Sequence, residues 1–380
     1  MLSRVPRIRL LVAALVGIVA WSGPRLLIPV SLAIPVLIAT LPVETRRHRA
    51  YVAFAYYAAA LWPVVAAGVQ LYGWHAIPFL VVVTGMAALV LAACWLLPGT
   101  VLPMGATALP PIGIIGVASP LTSAGVLFPG MAWFGLVSTA VVPFGLKRHP
   151  TWTAPTVLAL SLVLNGAARD PEPPAGWRGV DTRFGDIRSK REPAAEFRSA
   201  EWVQRIAFTS ESRVLVFPEL TVTRWTRATE AFWQPTLDEL AHQRRTLLLG
   251  AGLPIPGGQD YQNALIAVPF HPSTETAFLP QSIPLPWVMW NPIAAKDRVP
   301  LSLTGRRTLN VAGERVAALI CYEQLILWPV FTAVSERPSV IVAISNAVWT
   351  QNTPIPSVQK ASVWAWSRLF DIPAISAVNQ

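Results

Sequence analysis

The sequence predicts a multispan α-helical membrane domain over residues 1–168, a linker over 169–197, and an α/β domain over 198–380. Three observations lead there. Of the 30 Lys and Arg and 20 Asp and Glu in the 380 residues, the stretch to Ala168 holds nine basic residues and one acid, Glu44, and the remainder holds 21 and 19. The net charge of +10 therefore divides into +8 and +2. Within the first part, seven apolar runs approach the roughly 20 residues a bilayer-crossing helix needs. In the second part, short β-branched runs alternate with longer amphipathic ones, the pattern of an α/β domain.

The apolar runs fall at about 8–22, 26–43, 50–72, 77–98, 108–127, 131–146 and 152–167. They have almost no polar face, which argues against core helices of a water-soluble bundle. The fifth contains Pro110, Pro111 and Pro120 and the last two are short, so these three are candidates for kinked or re-entrant segments. Arg4, Arg7 and Arg9 precede the first run, Arg46, Arg47 and Arg49 follow the second, and Lys147 and Arg148 follow the sixth. Seven spans put all three clusters on one side, the cytoplasmic one. The segment after the seventh run then lies in the periplasm of a bacterium, and the protein is a multi-pass inner-membrane protein. The first run is an uncleaved anchor on this reading, because a second apolar run follows almost at once.

The stretch 168–197, "ARDPEPPAGWRGVDTRFGDIRSKREPAAEF", is charged and Pro-rich, as a linker is. Strands are expected at "RVLVFPEL", "TLLLGAGLPI", "NALIAVPF", "RVAALICYE", "SVIVAISNAVW" and "IPAISAVN", and a helix at "ATEAFWQPTLDELAHQRR".

Basic residues that punctuate apolar runs do not form the stripe of a nucleic-acid surface, so no nucleic-acid partner is expected. The five histidines are scattered without ligand spacing, there is no glycine-rich phosphate loop, and no metal or other cofactor is expected. The spans contain no charged residue deep in the bilayer, which disfavours a transporter. The two cysteines, Cys94 in the fourth run and Cys321 in the polar half, are not expected to pair.

Cys321 ends "RVAALIC" and Glu219 ends the run "VLVFPEL". If their strands are parallel neighbours, both side chains emerge at the carboxyl rim where ligands collect. There a carboxylate can take a thiol proton, and the start of the following helix favours the thiolate. Buried filler is the alternative for the cysteine, and solvation or capping for the carboxylate.

The series "VFPEL", "YQNALIAV", "LICYEQLILWPVF" and "VAISNAVWTQNTPIPSVQK" resembles, in this order, the nitrilase or carbon-nitrogen hydrolase superfamily. With the apolar first half it is similar to apolipoprotein N-acyltransferase, and in its short, Trp-rich form to a branch found in conjugal transfer. The resemblance implies an α-β-β-α sandwich. It also implies a thiol acyltransferase or amidase acting through a thioester on Cys321, with Glu219 as base, Glu323 orienting the site and the Tyr322 N–H as oxyanion donor. Asn263 and Asn346 would shape the pocket, or equally hold loop backbone. A membrane phospholipid would be the acyl donor, and a lipoprotein or other envelope protein the partner.

The superfamily has a lysine between the glutamate and the cysteine. The corresponding stretch here, "FLPQSIPLPWVMWNP", places Gln281 there, and Lys296 is the lone lysine between Glu219 and Cys321. Met289 and Ala347 likewise stand where the relatives carry acids. The departure leaves a second expectation: a catalytically impaired nitrilase-fold platform for envelope assembly or conjugative transfer. Trp287 and Trp290, in "PLPWVMWNP", either rest in lipid headgroups at the mouth of the site or cap the core.

Overall fold

The computed structural model describes residues 7–41, 46–185, 193–255, 260–269, 278–291 and 298–380. The described helices are α1 (Arg7–Ala20), α2 (Ala33–Ala39), α3 (Arg46–Ala60), α4 (Trp62–Tyr72), α5 (Ile77–Ala93), α6 (Val101–Ala108) and α7 (Ala124–Leu127). They continue with α8 (Ala132–Arg148), α9 (Pro150–Ala167), α10 (Pro193–Thr209), α11 (Arg227–His242), α12 (Leu327–Ser335) and α13 (Ile355–Phe370). The chain forms two compact units interleaved in sequence. One takes residues 1–171, 325–328 and 349–372, and the other takes 172–324, 329–348 and 373–380.

In the first unit, α3 and α4 form one apolar stretch, Arg46–Tyr72 (27 residues), and Trp74–Leu96 (23 residues) forms a second. Among the described residues these two are long and apolar enough to cross a membrane. Of the seven runs expected to span, the third and fourth thus lie in helices of that length. The other apolar runs are shorter helices, and 108–127 is broken into 3-10 turns at Ile112–Ile115 and Pro120–Ser123 followed by α7. Prolines that remove backbone donors account for that break. The unit also recruits α13 from far along the chain. Arg368 of α13 pairs with Asp170 at 3.2 Å and donates to Asn165 Oδ1 at 2.9 Å. On α7, a Cβ at Gly125 would fall 1.8 Å from the Ala365 carbonyl oxygen, so the helices touch backbone to backbone.

Among the described residues the second unit has nine strands: β1 (Trp177–Gly179), β2 (Val214–Val216), β3 (Thr246–Pro254), β4 (Tyr261–Val268), β5 (Phe278–Pro280), β6 (Thr308–Val311), β7 (Glu314–Ile320), β8 (Val340–Asn346) and β9 (Ala374–Asn379). They form two sheets, in the orders β1-β2-β3-β4-β5 and β6-β7-β8-β9. Pairs β1-β2-β3 and β7-β8-β9 are parallel and the others antiparallel. All six expected strands and the expected helix, α11, are present. The stretch expected as a linker supplies β1 and a bridge from Thr182 to Asn379. Three residues, "WRG", are too few for alternation to register in a charged, Pro-rich setting.

Side chains alternate across the pleat and so feed two cores. Val214, Val216, Leu248 and Leu265 face Ile320, Val342, Ile344 and Ala377 between the sheets. Leu215, Leu247, Leu249 and Ile266 face the other way, against Val203 and Ala207 of α10 and Trp233, Leu237 and Leu240 of α11. The result within this unit is a helix layer on a two-sheet sandwich.

Candidate active site

The first element is a turn that brings a carboxylate back onto its own sheet. After β2, Phe217 N donates to Leu248 O at 2.8 Å and the chain then leaves the sheet, with Thr221 Oγ1 donating to Pro218 O at 2.8 Å. Leu220 adopts a left-handed φ of 54°. The turn lies directly on β3: a Cβ at Gly250 would sit 2.3 Å from Pro218 O and 2.5 Å from Glu219 Cα. Only glycine leaves room for that approach. Glu219 is thereby held buried, 3% exposed. Its Oε1 accepts from Asn263 Nδ2 at 2.7 Å, and its Oε2 accepts from Asn346 N at 2.9 Å.

Cys321 opens the 3-10 turn Cys321–Leu325 immediately after β7, with φ at 52°. A left-handed φ in a non-glycine residue is strained, and such strain concentrates at functional positions. The thiol is buried and hydrogen-bonded to the Glu219 carboxylate. Burial, then the Glu219 charge and its hydrogen bond, push the thiol well above its ordinary range. Backbone N–H groups of Tyr322 and Asn346 oppose the shift. The structure therefore brings Glu219 and Cys321 together, but not as ends of neighbouring strands. β2 and β7 belong to different sheets, and the two groups meet between them.

Gln281 follows β5 and is 2% exposed. Its backbone N donates to Asn263 O at 2.6 Å. Its Oε1 accepts from Asn263 Nδ2 at 2.9 Å, and its Nε2 donates to Ile320 O at 3.0 Å. A continuous chain of bonds thus runs from Glu219 through Asn263 and Gln281 to the residue before the cysteine. Asn263 Oδ1 is buried without a hydrogen-bond partner. Gln281 is thus a neutral bracket between strands.

Glu323 clamps the same region from the other side. Its Oε1 accepts from Ser282 N at 2.8 Å and Ile283 N at 3.2 Å, while Oε2 accepts from Ile320 N at 3.0 Å. Burial raises its pKa, against the pull of those donors and of Arg307. Asn346, at the end of β8, reaches Glu219 through its backbone, and its Oδ1 accepts from Asn379 Nδ2 at 3.3 Å.

Trp287 and Trp290 belong to a loop closed on itself: Trp287 N donates to Trp290 O at 2.8 Å. Trp287 is exposed and Trp290 half-buried, while Met289 packs with Leu220, Tyr261 and Val299. Lys296 lies outside the described residues. Gln324, Arg307, Asn379 and Gly250 were not singled out by the sequence. Gln324 Nε2 donates to Leu319 O at 3.2 Å and Ile344 O at 3.0 Å, tying β7 to β8. No local pattern signals such a role, because it depends on which strand lies alongside.

No family model matches the chain. A conjugal transfer protein TraB from Agrobacterium fabrum is 33% identical to it over 401 aligned residues, covering 97% of this chain and 92% of that protein. A probable conjugal transfer protein TraB from Sinorhizobium fredii is 30% identical over 389, covering 98% of each. Among solved structures, an amidase of the nitrilase superfamily from Nesterenkonia AN1 superposes on 53% of this chain and 74% of its own, at 12% identity and a TM-score of 0.36.

Proposed function

The chain belongs to the TraB family of conjugal transfer proteins, and from that premise we propose that it is a membrane-bound thiol acyltransferase or amidase acting in conjugal transfer through a thioester on Cys321. The observation that supports this best is the hydrogen bond from the Cys321 thiol to Glu219, on a turn of left-handed φ. As sulfur bonds to the acyl carbon, the thiol proton passes to Glu219. The bond from that carbon to the leaving alcohol or amine breaks, and the leaving group takes the proton from Glu219. Water or an amine then gives its proton to Glu219, attacks the thioester carbon and releases the thiol. The Tyr322 N–H is the donor available to the developing oxyanion.

On this reading the protein is a multi-pass inner-membrane protein with the second unit in the periplasm, a phospholipid gives the acyl group, and an envelope protein receives it. The two membrane-length helices and the placement of the basic clusters support the location. One observation favours the second reading, a catalytically impaired platform: Gln281, in the place of the lysine, supplies no charge to a thiol already pushed upward.

Intact-mass measurement of the full chain in its native lipids, parent beside Cys321→Ala, separates the two. A mass increase of acyl size that needs Cys321 and is removed by neutral hydroxylamine is the expected result. A folded, unmodified parent with a reactive Cys321 would establish the platform.

A further inference from the structure

Arg49, in the first turn of α3, and Lys147 and Arg148, at the end of α8, are distant in sequence and converge on a pocket of about 330 Å³ in the first unit. Arg49, Lys147 and Arg148 line it together with Thr100, and Ile38 and Phe144 supply an apolar wall. Lys147 and Arg148 are exposed, but Arg49 is only 5% exposed. Its Nη2 donates to the Gly99 carbonyl, and its Nε is buried with no partner. Among the described residues no carboxylate lines the pocket. A guanidinium taken out of water without a counter-ion is costly, and an anion bound there would offset the cost.

The three cations are the ones the basic-cluster pattern puts on a single side of the membrane. An anion with several acceptor oxygens suits a guanidinium fork beside two flexible or forked cations and a hydroxyl. Basic pockets between apolar helices are also where lipid headgroups are held.

We propose that this pocket binds a phosphate group, either that of an anionic phospholipid headgroup or free phosphate. It is separate from the Cys321 site and does not depend on any acyl chemistry there. The test uses the full chain in mild detergent, with lipid retention followed by native mass spectrometry and thermal unfolding in parallel. The probes are phosphatidylglycerol, phosphatidylcholine and sodium phosphate.

Retention of phosphatidylglycerol over phosphatidylcholine identifies the headgroup as the source, and a saturable rise in unfolding temperature with sodium phosphate alone identifies free phosphate. In either case Arg49→Gln is expected to weaken binding about tenfold or more, and Lys147→Gln with Arg148→Gln about thirtyfold. The second variant changes exposed residues only, so it stays informative if Arg49→Gln does not fold. Removing equal charge outside the pocket, with Arg46→Gln and Arg47→Gln, is expected to have a smaller effect. Equal retention of phosphatidylcholine, no binding of any probe, or equal losses from the two double variants would overturn the proposal.

Discussion

The Cys321 thiol is hydrogen-bonded to the Glu219 carboxylate in a site with no lysine among the described residues, and this sets how the thiol should respond to pH. A neighbouring negative charge disfavours the thiolate, so removing it must lower the thiol pKa, and each unit is tenfold in thiolate at a given pH. Peptide-level mass analysis after iodoacetamide treatment at pH 8 is expected to show slow labelling of Cys321 in the parent. Labelling should be about tenfold faster in Glu219→Gln, and also faster in Gln281→Lys, which adds a cation. Slower labelling of Cys321 in Glu219→Gln would contradict the geometry. Glu323 acts through its folded-state pKa, which lies above the ordinary 4.5. Its favourable contribution is complete below that value and is lost as pH rises through the folded pKa, because the native state then binds more protons than the unfolded one. Unfolding midpoints of the parent should carry this fall, and Glu323→Gln should lose it. Gln keeps one acceptor oxygen where three N–H groups converge, so the variant should also be about 1–3 kcal/mol less stable.

At the scale of elements, the placing of Glu219 beside Cys321 depends on a glycine in a strand. β3 passes under the 218–220 turn at Gly250 with no space for a methyl group. Gly250→Ala is expected to cost about 1–3 kcal/mol through overpacking and to move Glu219 away from Cys321, so that thioester formation falls by more than the loss of folded protein explains. A full thioester yield at reduced stability would show that the turn can shift without consequence. The strands themselves were legible, because β-branched runs bounded by turn residues announce six of the nine. The three missed, β1, β5 and β6, have three or four residues each, too short for a period. The pairing of β2 with β3 and of β7 with β8 was not legible, since neighbours across a sheet are chosen by packing far along the chain.

For the whole molecule, the two units are not two halves of the sequence. α13 joins the apolar first unit, and its packing on α7 leaves no space at Gly125. Gly125→Val is therefore expected to lower the unfolding temperature of the full chain in detergent by several degrees, through a clash with backbone that cannot rotate aside. Gly166→Ala is the control: it meets nothing within 4 Å and should be neutral or slightly stabilising. A comparable loss in both variants would argue against the α7–α13 contact. The sequence by itself determined the split of charge, the apolar first part, the strands of the second, and the residues Glu219, Cys321, Gln281, Glu323 and Asn263 as the group to watch, because composition, period and motif are local properties. Only the tertiary structure decided that Glu219 and Cys321 approach from different sheets, that Gln281 braces Asn263 against Ile320, that α13 belongs with the first unit, and that Arg49 meets Lys147 and Arg148 in one pocket. Each of these joins residues far apart in the chain, and such contacts are selected by the burial of whole faces against each other.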